Sequence, residues 1–391
     1  MQGRLERIPF NRPAAAGAEL MHVGAALAGR DLAGNGHYAR RCAEWLRDRV
    51  GSQAAFMTPS CSAALEISAR LAGVCDGAEV IMPSFTFVST ATAVVRAGGT
   101  PVFVDIDPAT LNVDPAAVAA AVGPHTRALC AVHYAGVGCD MQAIGELAQR
   151  AQLTVIEDAA HGNGASWRGR PLGSIGDIAT LSFHETKNLQ CGEGGALLVN
   201  DGALVAEAEP MYNRGTNRAQ FARGEVARYT WVREGSNYLM GELNAAFLWG
   251  QFECADAVLA ERLAIWSTYW HAFDELEARG VARRPVIPAD CSHNAHIFYL
   301  LLEGERERDA LIAALAAADI QAVFHYVPLH SSPAGRRFGR TAGKLHVTDA
   351  VSARMVRLPL WPGLGAERVA RVIDAVYAAL ALGARRPLAA A

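Results

Sequence analysis

Lysine is nearly absent from this chain. Of 391 residues, 36 are cationic, and these divide into 34 arginines and only two lysines, Lys187 and Lys344. Wherever a bare positive charge suffices, arginine serves. A surviving lysine therefore asks whether a primary amine is needed there, with chance survival as the other explanation. The chain also lacks any apolar run of about 18 residues, which argues against a membrane-spanning helix. The net charge is only −3, so no electrostatic footprint for nucleic acid or an anionic membrane is present. The eight cysteines (Cys42, Cys61, Cys75, Cys130, Cys139, Cys191, Cys254 and Cys291) include no CxxC pair. Neither a structural metal site nor a disulfide framework is expected, and a reducing cytoplasm is the simpler setting. The opening MQGRLERIPF has charges and no apolar centre, so no secretory signal is expected.

What is present is a globular composition, 51% hydrophobic and 19% charged, at a length that suggests two domains. From about residue 52 short apolar runs alternate with helical stretches. The expected strands are Ala54–Met57, Glu79–Met82, Pro101–Asp105, Ala128–His133, Thr154–Glu157, Ile178–Phe183 and Ala196–Asn200. Such continuous runs mark strands covered on both faces. Helices are expected at Ser62–Ala72, Thr90–Ala97, Pro115–Val122 and Met141–Ala151. The class is α/β with a large, mixed but mostly parallel sheet, antiparallel pairing being expected from Ile178 onward. After a long helical pattern, Glu242–Leu276, come a strand at His296–Leu302, a helix at Arg308–Ala318, a strand at Ala322–Tyr326 and a helix at Ala366–Leu382. This predicts a second, smaller α+β domain, with the division placed at 1–260 and 261–391.

Three segments carry chemistry. In IATLSFHETKNLQCGEGG (178–195) an apolar strand ends at Ser182 and Lys187 follows in a polar loop. Ligands gather at the carboxyl ends of strands in open α/β sheets, and a lysine there is a nucleophile that arginine cannot replace. In TVIEDAAHGN (154–163) a strand delivers Glu157 and Asp158, then His161. In MTPSCSAAL (57–65) a strand gives way to hydroxyl residues opening a helix, whose free N–H groups suit a phosphate. Each segment has an ordinary alternative: a solvated loop lysine, a capping aspartate, N-capping serines. Taken together, an amine, a carboxylate and a phosphate cradle at strand ends match the needs of pyridoxal phosphate. An aromatic from PSFTFV (83–88), Phe87 in preference to Phe85, is expected to cover the ring.

At this point the residues resemble the DegT/DnrJ/StrS sugar aminotransferases, fold-type I enzymes dependent on pyridoxal phosphate and built like aspartate aminotransferase. The resemblance runs from Ile8 to about Tyr377 through TPSCSAALE, IMPSFTFVSTA, VFVDI, VHYAGV, VIEDAAHG, SFHETKN, GEGG, GSNYLMGELNAA, NAHIFY and VFHYVPLH, in the family's order. HETKN followed by VFHYVPLHSSPAG is closest to the branch that makes dTDP-4-amino-4,6-dideoxygalactose from dTDP-4-keto-6-deoxyglucose. The resemblance implies that Lys187 is the Schiff-base lysine and Asp158 the partner of the pyridine nitrogen. It places His161 near the cofactor ring and Phe87 stacked on it, with Ser62, the backbone of Ala63, and Ser182 on the phosphate. Asn237 matches an asparagine that reaches the neighbouring subunit's cofactor, which implies a homodimer with shared active sites. Cys61 and Cys191 stand where many members have glycine, which leaves the loop geometry there open.

The implied reaction is two half-transaminations, with L-glutamate as amino donor, 2-oxoglutarate released and pyridoxamine phosphate between the halves. The keto sugar arrives on a nucleotide diphosphate. Arg214, Arg218 and Arg223 in NRGTNRAQFARG are candidates for that diphosphate, against a solvated basic loop. His296, His325 and Tyr326 are candidates for sugar contact, against structural roles. Rival readings are a C3 aminotransferase or one for another nucleotide sugar, a pyridoxal-dependent sugar dehydratase, and a cofactor-free binding protein. Lys344, in RTAGKLH, acquires no role in any of them, and arginine is expected to replace it.

Overall fold

The apolar runs become strands because each has partners on both faces. The structure is a computed structural model that describes residues 6–380 apart from 14, 16 and 31. Its strands are β1 (Ala54–Thr58), β2 (Glu79–Pro83), β3 (Thr100–Val104), β4 (Thr126–Val132), β5 (Thr154–Asp158), β6 (Ser166–Trp167), β7 (Arg170–Pro171), β8 (Ile178–Ser182), β9 (Gly195–Val199), β10 (Cys291–Ser292), β11 (Tyr299–Leu301), β12 (Arg340–Thr341) and β13 (Met355–Arg357). Eight of them form one sheet in the order β1-β9-β8-β5-β4-β2-β3-β12. β8 runs parallel to β5, whereas β9 is antiparallel to both β1 and β8. The cause is local. The link from Ser182 to Gly195 contains no helix and returns as a hairpin, while a parallel neighbour needs a crossover.

Successive residues feed opposite faces of the sheet. Val102, Val104, Leu129, Ala131 and Val155 pack on one side with the helix Met141–Ala151. Phe103, Ala128, Cys130, Val132 and Ile156 pack on the other. This two-sided burial is why the runs read as continuously apolar.

Elsewhere the chain departs from the expected pattern. The stretch 242–276 is three helices, Glu242–Glu253, Ala255–Ala272 and Asp274–Ala278, interrupted where Cys254 and Phe273 leave helical geometry. Ala322–Tyr326 is not a strand. Only Val323 makes a bridge, to Arg357, and the following residues swing off the sheet. Helices Glu19–Gly29, His37–Val50, Gly202–Tyr212 and His346–Arg354 were not expected. The last helix is Gly365–Ala379, and residues 381 and 382 of the expected one lie outside the described residues.

Residue 260 falls inside the helix Ala255–Ala272. Val258 packs with the core beneath β1, β8 and β9, while Ile265, Trp266 and Tyr269 join a separate core with β11, β13 and the last helix. The chain crosses this division twice more. Ile8 bridges Ile320 and is buried in the second core, and β12 adds an eighth strand beside β3. Among the described residues no helix is long and apolar enough to cross a membrane.

Adjacent residues at the end of β5 take opposite tasks because side chains alternate across a strand. Glu157, fully buried, accepts hydrogen bonds from the backbone amides of Gly173 (2.9 Å), Ile175 (2.6 Å) and Gly176 (2.6 Å). His133 accepts the Cys139 amide at Nδ1, so its Nε2–H donates to Glu157 at 2.8 Å. Burial alone raises the Glu157 pKa, but these donors outweigh it and hold the carboxyl below the usual range. Glu157 thus clamps the strand end that presents Asp158. Glu157→Ala strands four donors in a dry interior, with an expected cost of about 3–5 kcal/mol. Urea unfolding checks it: a lowered midpoint is expected, and a midpoint equal to the parent's contradicts the clamp.

Candidate active site

The carboxyl ends of β1, β2, β5 and β8 border a cleft of about 440 Å³, an ordinary size for a small-molecule site. Ser62, Phe87, Asp158, His161, Ser182, Lys187, His296, His325 and Tyr326 all line it. Phe87 stands on its rim at 58% exposed, whereas Phe85 is buried in the core against Tyr134, 4.9 Å between ring centroids.

One end of the cleft is the start of the helix Cys61–Leu71. Ser60 caps it, its hydroxyl accepting from the Ala63 amide at 3.2 Å. The Ala63 amide is therefore engaged by Ser60. The amides of Cys61 and Ser62 make no hydrogen bond to any described residue, and they carry the positive end of the helix dipole. The Ser62 hydroxyl pairs with that of Ser89 at 2.7 Å. β9 passes so close behind this turn that a Cβ on Gly195 would lie 2.4 Å from the Cys61 nitrogen. The last glycine of GEGG is thus required by close approach. Cys61 and Cys191 both have ordinary negative φ, and the left-handed residue of the second loop is Gly192 at +76°. Neither cysteine position needs glycine.

Asp158 is 5% exposed at the cleft floor. The Thr90 hydroxyl donates to its Oδ2 at 2.8 Å and the Ala160 amide to its Oδ1 at 3.2 Å, which fixes the carboxylate plane. Lys187 sits on the hairpin link between β8 and β9, its amide donating to the His184 carbonyl at 2.9 Å. Loss of hydration pushes its amine pKa down from 10.5 to about 8. Cys61 and Asp158 oppose the shift and the Arg357 guanidinium adds to it.

Three imidazoles form another wall. His161 accepts the Ala135 amide at Nδ1, which leaves its Nε2 as the donor. His296 pairs through Nδ1 with Asn188 Oδ1 at 2.8 Å and lies 4.2 Å from the His161 ring. His325 meets the Tyr134 hydroxyl at 3.0 Å. Burial holds all three pKa values well below the ordinary histidine value, so the rings are neutral at neutral pH.

Three of the expected residues lie elsewhere in the chain. Asn237, Arg214 and Arg218 are exposed on the segment 213–237, away from the cleft. Arg223 is already held by Glu209 (2.6 Å) and Glu225 (2.6 Å), which removes it as a free phosphate ligand. Sequence reasoning missed Thr90, Ser89, Phe10 and Arg357, all of which line the cleft. Arg357 had a signal: an arginine set in the apolar run MVRLPLW is a buried cation in search of a reason.

A model of the DegT/DnrJ/EryC1/StrS aminotransferase family matches residues 14–377. The chain is 34% identical over 336 residues to the spore coat polysaccharide biosynthesis protein SpsC of Bacillus subtilis, covering 84% of this chain and 85% of that one. Among solved structures it is similar to S. venezuelae DesV, at 30% identity and TM-score 0.87, over 96% of this chain and 98% of that one. It is likewise similar to the aminotransferase TlmJ from Streptoalloteichus hindustanus, at 28% identity and TM-score 0.87, over 96% and 99%.

The cofactor of this family is pyridoxal phosphate, and the residues fit it. Unpartnered amides at a helix start suit its phosphate, an oriented carboxylate suits its pyridine nitrogen, and an amine that deprotonates readily suits its aldehyde. An amine with a pKa of about 8 is largely free at pH 9, where an ordinary lysine is not. Labelling of cofactor-free protein by a small aldehyde plus reductant, read by peptide mass spectrometry, is expected to reach half its maximal rate at Lys187 near pH 8. A midpoint at the ordinary lysine value of about 10.4 contradicts the desolvated site.

Proposed function

The chain belongs to the DegT/DnrJ/EryC1/StrS aminotransferase family, and on that premise we propose that its cleft transfers the amino group of L-glutamate to C4 of a nucleotide-linked 4-keto-6-deoxy sugar. The sugar in this reading is dTDP-4-keto-6-deoxyglucose, and the products are dTDP-4-amino-4,6-dideoxygalactose and 2-oxoglutarate. The observation that carries the chemistry is the convergence of Lys187, Asp158 and the unpartnered start of the helix Cys61–Leu71 in one cleft. The choice of sugar rests on HETKN and VFHYVPLHSSPAG, both of which contribute to the cleft wall through His184, Thr186, Lys187, His325 and Tyr326. The naming of the 34%-identical relative for polysaccharide biosynthesis supports a sugar substrate.

Pyridoxal phosphate, when bound, supplies an aldehyde to carry the amino group and a ring to accept the electron pair of a broken C–H bond. The protein's part follows from the geometry. Asp158, fixed by Thr90 and the Ala160 amide, holds a proton on the pyridine nitrogen. The amides of Cys61 and Ser62, with the Ser62 and Ser182 hydroxyls, hold the phosphate. Phe87 and His161, both on the cleft wall, would flank the ring. Lys187 Nζ, its pKa lowered to about 8, would serve as the general base that takes a proton from the donor's α-carbon. The sugar meets His296, His325 and Tyr326.

In this reading the active site is completed by a second copy of the chain. Asn237 reaches the partner's phosphate, and Arg214 and Arg218 meet the sugar diphosphate there. The segment that carries them also exposes Tyr229 and Trp231, the latter 78% exposed, the kind of apolar surface a subunit contact covers. The setting is the cytoplasm, in keeping with eight free cysteines.

Incubation with L-glutamate and dTDP-4-keto-6-deoxyglucose, with product identification by mass and NMR, tests the proposal. A 4-amino galacto product with stoichiometric 2-oxoglutarate is expected. A 3-amino product, a deoxygenated product formed without glutamate, or no cofactor binding overturns it. In the same assay Lys187→Arg is expected to abolish turnover, while Lys344→Arg retains it in full, since Lys344 is an exposed loop residue.

A further inference from the structure

A segment far from Lys187 in the chain reaches the loop that carries it. Residues 6–12 run along the second core and are tied to it at successive points. Ile8 is buried there, its amide donating to the Asp319 carbonyl (2.8 Å) and its carbonyl accepting from the Gln321 amide (2.9 Å). The Trp361 indole N–H donates to the Pro9 carbonyl at 3.1 Å, and the Phe10 amide donates to the Gln321 side chain at 3.2 Å. Arg12 lies over the Trp361 ring, and Glu6 is ion-paired with Arg368. An irregular segment loses backbone freedom when it is ordered, and these ties offset the loss.

The ties deliver two side chains to the reacting amine. Phe10 lines the cleft, its ring 4.7 Å from the guanidinium carbon of Arg357. Asn11 donates from its side-chain amide to the Glu185 carbonyl at 3.1 Å, two residues before Lys187. On the other side of the lysine, the Asn188 side-chain amide donates to the Asn294 carbonyl at 2.8 Å. Two asparagine amides thus bracket Lys187 and tie its hairpin to segments outside it. Between residues 6–12 and the hairpin lies a cavity of only about 10 Å³, bordered by Asn11, Arg12, Lys187 and Arg262, with room for about one water molecule.

We propose that residues 6–12 form a positioning strap, in which Asn11 holds the Lys187 hairpin and Phe10 keeps water from the cleft beside the amine. A segment that served only the second core would be complete with Ile8, Pro9 and Glu6. Asn11 is different, because its amide goes to the hairpin. The amine is acted on by Asp158 from β5, Cys61 from its helix and Arg357 from β13, and it acts in turn on His161, His296 and His325. Arg12, Glu185 and Arg262 border the cavity behind it, and His184 and Glu193 line the cleft. Phe10 and Asn11 are neutral. Replacing them leaves every one of these charges in place and alters only packing and hydration.

Full-length protein tests the strap, freed of cofactor for the labelling. The amides of Glu185 and Lys187 donate to the carbonyls of Gly192 and His184 within the hairpin. In Asn11→Ala they are expected to exchange with deuterium about 5-fold faster, the factor that one lost hydrogen bond carries, while those of Thr154–Asp158 keep their rates. Asn11→Gln, which keeps a donor, is expected to recover part of the protection. Less desolvation raises an amine pKa, so in Phe10→Ala the midpoint of Lys187 labelling by aldehyde and reductant is expected to rise by about one pH unit. Phe10→Leu, which refills the volume, is expected to stay near the parent. Equal acceleration in hairpin and sheet marks a purely structural segment and overturns the strap. So does unchanged hairpin exchange in Asn11→Ala, or an unmoved midpoint in Phe10→Ala. Neither measurement uses a substrate, so the outcome is separate from the choice of sugar.

Discussion

An amine that must shed its proton near neutral pH has to sit where water does not solvate the ammonium form. Lys187 meets this condition, and much of the surrounding architecture is a consequence. Burial depresses its pKa to about 8 even though Asp158 and Cys61 pull the other way. In the proposed reaction the carboxylate cannot be removed to help, because it is the group that would hold the proton on the pyridine nitrogen. The cleft therefore keeps a balance, with desolvation and Arg357 on one side and a single oriented aspartate on the other. Its three imidazoles stay neutral through the same desolvation and contribute hydrogen-bonding groups without adding charge.

Placing these groups to within a fraction of an ångström is the task of the sheet. β5 ends with two acids whose side chains alternate, so one strand end is both anchored and functional: Glu157 ties it to four donors on one face while Asp158 points into the cleft from the other. The hairpin between β8 and β9 does a similar double duty, presenting Lys187 and pressing Gly195 against the start of the helix Cys61–Leu71. The second core then brings β13 and the chain around His325 over the open side, so that both parts of the molecule enclose the reacting centre.

Much of the sheet was legible because its strands are buried on both faces, which leaves uninterrupted apolar runs bounded by polar turns. Asp158 and Lys187 were legible for a different reason: Asp158 closes such a run, and Lys187, one of only two lysines, follows another in the loop where ligands gather. The helices Glu19–Gly29 and His37–Val50 precede the first strand and lacked that framing. Ala322–Tyr326 looked like a strand from its residues and is not one, because Val323 finds a single partner and the chain then turns toward the cleft. The Thr90 bond to Asp158 joins segments distant in the chain, which no local pattern encodes, whereas the Ser60 cap on Ala63 is local. Arg223 shows the converse: it stood as a candidate for the diphosphate, and it pairs instead with two carboxylates.

The central claim is that one amine, that of Lys187, carries the cofactor. Borohydride reduction of the cofactor-loaded protein, followed by peptide mapping, tests it most directly. A single pyridoxyl adduct on the peptide containing Lys187, with loss of the aldehyde absorbance, is the result the structure predicts. An adduct on Lys344 or on the chain's amino terminus, or no adduct at all on protein that binds pyridoxal phosphate, would contradict the account.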